Sequence, residues 1–158
     1  MLQKVYGIPE PEKFISFEKT VTVDNAKTGK STTKFIDGYI GTTRVLIEQK
    51  SVTVDLNSEL QSDGSLLSPY QQARRYGGYL PANQQPRWIV VCNFREFRIH
   101  DMNRPNDTPE ILMLSDLEKE YTRLNFLVDT GDEKIRKEME ISLQAGELVG
   151  VLYDALLK

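Results

Sequence analysis

The segment FIDGYIGTTRVLIEQKS, residues 35–51, restricts this chain more than any other stretch. Phe35, Ile36, Tyr39, Ile40, Val45, Leu46 and Ile47 are the β-branched, aromatic and aliphatic residues that strands prefer, and Gly41-Thr42 offers a turn between them. An antiparallel hairpin follows, and with it a face for every side chain. Within it stand three charges that a strand interior does not ordinarily carry: Asp37, Glu48 and Lys50. The ordinary reading is a sheet with one solvated face; the chemical one is a metal site.

Alternation along the strand sets Arg44, Leu46, Glu48 and Lys50 on one face. A two-residue turn at Gly41-Thr42 pairs Ile40 with Thr43 and puts Asp37 opposite Leu46. Asp37 then shares the face of Glu48 as its diagonal neighbour, with Cβ atoms roughly 7–8 Å apart. A slip of one residue would throw Asp37 to the other face. Two carboxylates so placed can share one hard cation, with magnesium–oxygen distances of about 2.0–2.1 Å. The chemistry that suits them is phosphodiester hydrolysis, in which the metal lowers the pKa of water and neutralises phosphate charge. Lys50, beside Glu48, can orient the water or stabilise developing negative charge.

The remaining sequence supplies a frame for this hairpin. FISFEKTVTV (14–23) reads as a first strand, followed by a polar turn, NAKTGKST. The stretch from Ser51 to Leu67 is mixed, with a turn signal at Asp63-Gly64. Ser68-Pro69 reads as an N-cap with proline at the first helical position, opening a helix through YQQARRYGGYL that ends near Gly77-Gly78 or at Pro81. RWIVVCNF (87–94) is a near-continuous apolar run, as in a central strand covered on both faces. EFRIHDM alternates, so Arg98 and His100 are expected on a wet face. EILML suggests a short strand, and SDLEKEYTRL a short helix capped by Ser115. Ile135, Met139, Leu143, Gly146, Val149, Tyr153 and Leu156 form one stripe of a long C-terminal helix over 133–158. The outcome is an α/β domain around a mixed central sheet flanked by helices: one domain over 1–158, with its core between Phe14 and Asp129.

Composition narrows the function. With 158 residues, 39% hydrophobic and 27% charged, the chain can bury a core unaided. Cys92 and His100 are the only cysteine and histidine, so intramolecular disulfides and Cys/His zinc sites are excluded, and a reducing cytoplasm is expected. No apolar stretch reads as a membrane span or a secretory signal. The net charge of −3 and the lack of a dense Lys/Arg stripe count against tight autonomous DNA binding. They do not count against DNA chemistry, because a bound cation changes the local charge.

Taken together, IDGYI…TRVLIEQKS, QSDGSLLSPYQQARRY (61–76), PRWIVVCNFREFRIHDM (86–102), SDLEKEY and AGELVGVLYDAL resemble the N-terminal nuclease domain of type IIG/IIL restriction–modification enzymes. In these, a nuclease is fused to an adenine-specific DNA methyltransferase. The resemblance covers nearly the whole chain from about Phe14. It implies the PD-(D/E)xK restriction-endonuclease-like fold, with Asp37, Glu48 and Lys50 as catalytic core and Asp37 and Glu48 holding magnesium, or manganese in its place. Gln72 and Tyr76, four apart and so on one helix face, are similar to the Gln-x-x-x-Tyr element beside the active site of RecB-like nucleases. The implied partners are double-stranded DNA and the methyltransferase and target-recognition domains of a longer parent chain. S-adenosylmethionine would bind only in that methyltransferase. Ile36 replaces the proline that names the motif. Glu10 and Glu12 sit beside prolines, which shortens the acidic helix that usually opens the fold. The rival reading is a catalytically silent scaffold that docks a methyltransferase. Arg74 and Arg75 are read as solvent-facing, Cys92 as a small buried hydrophobe, and Asn93 as the residue that turns a hairpin.

Overall fold

The computed structural model describes residues 2–24, 29–59 and 66–129. Its centre is a mixed six-stranded sheet whose strands lie in chain order: β1 (Ser16–Asp24), β2 (Ser31–Ile40), β3 (Val45–Gln49), β4 (Trp88–Cys92), β5 (Glu96–Asp101) and β6 (Glu110–Met113). Every neighbouring pair is antiparallel except β3 and β4, which run parallel. A parallel pair needs a long crossover. Here it carries the principal helix, α3 (Pro69–Gly78), preceded in the chain by the short helices α1 (Leu2–Tyr6) and α2 (Pro11–Phe14).

β4 is the centre of the sheet because its sequence suits no other place. Ile89, Val90 and Val91 are all buried, although alternate residues face opposite ways. Ile89 and Val91 meet Leu46, Tyr39, Ala73, Tyr76 and Leu80 beneath α3. Val90 meets Ile40, Val45, Ile99, Leu112 and Leu124 on the other side. That second side is closed by a 3₁₀ segment, Tyr121–Leu127, which follows a one-turn helix, α4 (Leu117–Glu120).

α3 begins as its sequence dictates. Ser68 Oγ accepts from the Gln71 amide while the Gln71 side chain accepts from the Ser68 amide, and Pro69 occupies the first turn. Near its end Gly77 lies so close to the sheet that a Cβ there would come within 2.9 Å of Pro86 Cγ and 3.3 Å of Leu46 Cδ1. Only glycine lets the helix sit this low, directly over β3.

Several expectations require correction. The β2–β3 connection comprises four residues, Gly41 to Arg44, not two, and Arg44 adopts φ 53°. Ile40 therefore pairs with Val45 and Gly38 with Ile47, a register two residues from the expected one. His100 is buried, not wet: Tyr70 of α3 stacks on it at 3.7 Å with 6° between ring planes. Cys92 is only half-buried. Ser115 caps no helix; Asp116 precedes α4, and the segment begins as 3₁₀. Asn93 does turn the β4–β5 hairpin, its Oδ1 accepting from the Arg95 and Glu96 amides, and Arg74 and Arg75 are exposed. The turn at Asp63-Gly64 and the C-terminal helix over 133–158 lie outside the described residues. Among the described residues no helix is long and apolar enough to cross a membrane.

Candidate active site

The observed register preserves the face while changing the neighbours. A shift of two residues keeps strand parity, so Asp37 remains on the side of Glu48. One step beyond the Gly38–Ile47 pair, Asp37 now faces Glu48 directly rather than diagonally. The main-chain ladder stops there. The Gln49 amide donates to Asp37 Oδ2 at 2.7 Å, so a side chain continues the pairing where the strands part.

Glu48 is buried, with 2% of its surface exposed, beneath the helix side of the sheet. Its Oε1 forms an ion pair of 2.7 Å with Lys50 Nζ. Its Oε2 is buried and has no hydrogen-bond partner. Burial raises the Glu48 pKa to about 7, opposed by the hydrogen bond from Lys50 and reinforced by the charge of Asp37. A buried carboxylate oxygen without a donor is costly, and native structures rarely keep one without a purpose.

Lys50 joins the strand to the helix. Besides Glu48 it donates to Gln72 Oε1 at 3.1 Å, and Gln72 Nε2 in turn donates to Tyr76 Oη at 3.4 Å. Gln72 thus touches the charged group itself. Tyr76 is buried in the apolar cluster under α3 and reaches the group only through Gln72. The structure brings Asp37, Glu48, Lys50 and Gln72 together, with Tyr76 as the next link.

Cys92 also belongs to this neighbourhood, which the sequence reading missed. It pairs with Gln49 across the parallel ladder, and the Cys92 carbonyl accepts from the Lys50 amide at 2.8 Å. Burial and the charges of Asp37 and Glu48 push its thiol up to about 11. Only the β3–β4 register could have revealed this, and no local pattern encodes a parallel pairing across a crossover. His100 stays apart: burial and Arg98 push it down to about 4, which keeps the imidazole neutral.

The donor set fits a hard divalent cation. Asp37 and Glu48 lie opposite in the strand register and close enough for the charge of Asp37 to raise the Glu48 pKa, and Glu48 keeps a buried oxygen without a hydrogen-bond partner. Among the described residues no group of three or more His, Cys, Asp or Glu side chains is arranged to hold a metal ion. Magnesium tolerates such a site, because it ordinarily keeps several waters and takes one or two protein carboxylates plus substrate phosphate. Of the short N-terminal helices, α1 has no acidic residue, the one acid of α2, Glu12, is exposed, and Glu10 before it pairs with Lys13.

Residues 1–158 match the family model described as "MmeI, N-terminal domain". The chain belongs to this family. The MmeI N-terminal domain is the nuclease domain of MmeI-type restriction–modification enzymes, which agrees with the resemblance carried by residues 35–51, 61–76 and 86–102. No curated protein and no solved structure matches the chain. The MmeI N-terminal match spans the hairpin, α3 and β4, the elements that assemble the charged group.

Proposed function

We propose that this chain is the metal-dependent DNA endonuclease domain of a restriction–modification enzyme, with the PD-(D/E)xK fold, hydrolysing phosphodiester bonds in double-stranded DNA. The observation that carries the reading is Glu48 Oε2, a buried carboxylate oxygen with no donor, on the residue opposite Asp37 in the strand register whose other oxygen pairs with Lys50. Asp37 and Glu48 would hold magnesium, or manganese in its place. When bound, the cation supplies Lewis-acid polarisation of the phosphate and acidifies water at neutral pH.

The chain's own residues do the rest. Lys50 has three N–H donors, of which Glu48 and Gln72 take two. The third is available to orient the attacking water or meet charge developing on the phosphate. Gln72 fixes the ammonium from the helix side, and the link to Tyr76 fixes the orientation of the Gln72 amide. The Gln49 amide holds the Asp37 carboxylate against β3. In the parent chain, adenine methylation with S-adenosylmethionine and target recognition would belong to domains beyond this sequence, in the cytoplasm.

Nicking of supercoiled plasmid tests the reading. The wild-type chain should cleave in magnesium or manganese and not in EDTA, and Asp37→Asn should abolish cleavage. Cleavage that persists in Asp37→Asn, or that ignores EDTA, would refute the assignment.

A further inference from the structure

One turn departs from the residues its geometry asks for: the tip of the β4–β5 hairpin. The Asn93 amide donates to the Glu96 carbonyl at 3.4 Å, so Phe94 and Arg95 are the two central residues. Phe94 has φ 62°, and Arg95 does not share the positive sign. That is the pattern of a type II′ turn, whose first central position ordinarily belongs to glycine. A bulky side chain there strains the backbone. The ring does not offset the strain by packing, since 58% of Phe94 is exposed. Among the described residues with positive φ it is the one aromatic.

The tip is held firmly beside the charged group. Asn93 is buried, and its Nδ2 donates at 2.9 Å to the carbonyl of Val54, four residues after Lys50. The residue before it, Cys92, takes the Lys50 amide. Phe94 therefore stands at the end of the sheet where Lys50 leaves β3, and where Asp37 and Gln49 are exposed. Its neighbours suit a nucleic acid. Arg95 is exposed, and among the described residues its guanidinium forms no ion pair. Val52, also exposed, lies on the segment that Asn93 ties down.

We infer that the β4–β5 tip is a DNA contact beside the cut, with Phe94 pressed into the minor groove and Arg95 on a flanking phosphate; this rests on the nuclease reading above. Proteins that enter the minor groove frequently place an apolar side chain there. The groove is about 6 Å wide, which suits a single ring on a narrow tip. Arginine on phosphate positions the duplex without reading its sequence. A tip already fixed by Asn93 loses little freedom on binding. The strain at Phe94 is what the fold tolerates to hold a ring outward, where glycine would leave nothing to insert.

Fluorescence anisotropy of a labelled duplex, titrated with the whole chain in calcium to prevent cleavage, tests this at low salt and as salt is raised. Phe94→Gly and Phe94→Asn both allow a left-handed backbone and remove the ring. Each should keep or raise the thermal midpoint yet weaken low-salt binding at least about five-fold, with the salt slope unchanged. Phe94→Tyr should bind like wild type. Arg95→Gln should weaken binding and lower the slope of log K against log salt by about 0.9, one phosphate contact. Phe17→Ala removes an exposed ring opposite Gly38, on the sheet face away from α3, and should bind like wild type. Wild-type binding by either ringless variant overturns the inference, as does an equal loss in Phe17→Ala, an unchanged slope in Arg95→Gln, or no duplex binding by wild type. A lower thermal midpoint in either ringless variant would make the ring structural and overturn it too. Plasmid nicking by the wild type, run alongside, keeps the two readings apart. Nicking with binding indifferent to Phe94 removes only the tip, whereas binding that needs Phe94, without nicking, removes only the nuclease.

Discussion

Replacing Glu48 with glutamine should stabilise the metal-free protein at alkaline pH. Below about pH 4.5 the carboxyl is protonated in both folded and unfolded chains and adds no pH dependence. Between 4.5 and about 7 the unfolded chain releases the proton while the folded chain, with Glu48 buried, keeps it; stability therefore falls as pH rises through that window. Above about 7 both forms are ionised and the whole cost remains. Moving a carboxyl from 4.5 to about 7 corresponds to about 3 kcal/mol. Glutamine keeps the shape and offers an oxygen to Lys50, but weakens the ion pair, so a net gain of about 1–3 kcal/mol is expected at pH 8. In a chain of this size that raises Tm by roughly 2–12 °C. Urea denaturation of both proteins in EDTA at pH 4 and pH 8 measures it: Glu48→Gln should be the more stable at pH 8, with the difference gone at pH 4. A variant no more stable than wild type at pH 8 would refute the claim that Glu48 is an ionised carboxylate there whose burial Lys50 only partly offsets. Magnesium should then stabilise wild type and leave the variant unchanged.

Lys50→Met should abolish plasmid cleavage while leaving the far-ultraviolet circular dichroism unchanged, because it removes a donor at a position already 17% exposed. Gly77→Ala should destabilise the fold by about 1–3 kcal/mol, since the new methyl meets the rigid Pro86 ring, and the thermal midpoint will show it. Thr43→Val leaves the buried Leu127 carbonyl without its donor and should cost about 1–3 kcal/mol in urea denaturation. Near physiological salt the 158-residue chain should bind duplex DNA no tighter than about 10⁻⁶ M and without sequence preference; sequence-specific submicromolar binding would show that it carries its own recognition function.

What could be read from the sequence was what is written locally. Ser68 and Pro69 announce the start of α3, and the run from Trp88 to Cys92 announces a strand covered on both sides, because caps and periodicity act over a few residues. Asp37 and Glu48 could be placed on one face because parity survives a register error of two. Their direct opposition could not, because it depends on a four-residue turn that ends with Arg44 in the left-handed region. His100 was misplaced for a nonlocal reason: its alternation with Phe97 and Ile99 is real, but Tyr70 arrives from thirty residues earlier and covers it. The proximity of Cys92 was hidden in the same way, because it depends on which strands become neighbours.

The hydrogen bond from Thr43 Oγ1 to the Leu127 carbonyl, 3.0 Å long and buried, spans 84 residues of chain. It fastens the turn between the two carboxylate-bearing strands to the last 3₁₀ segment, so the β2–β3 hairpin is local in sequence but not in support. Closing so long a loop is entropically costly, and contacts of this range form late in folding. A chain emerging from the ribosome can therefore form the hairpin well before it can fix it. The turn acquires its final tether only once Leu127 has been made, by which time β4 and α3 are already available to bury Glu48. Assembly of the charged group is thus timed by synthesis of nearly the whole described chain, and a prematurely ended polypeptide would carry all three charges without holding them in place.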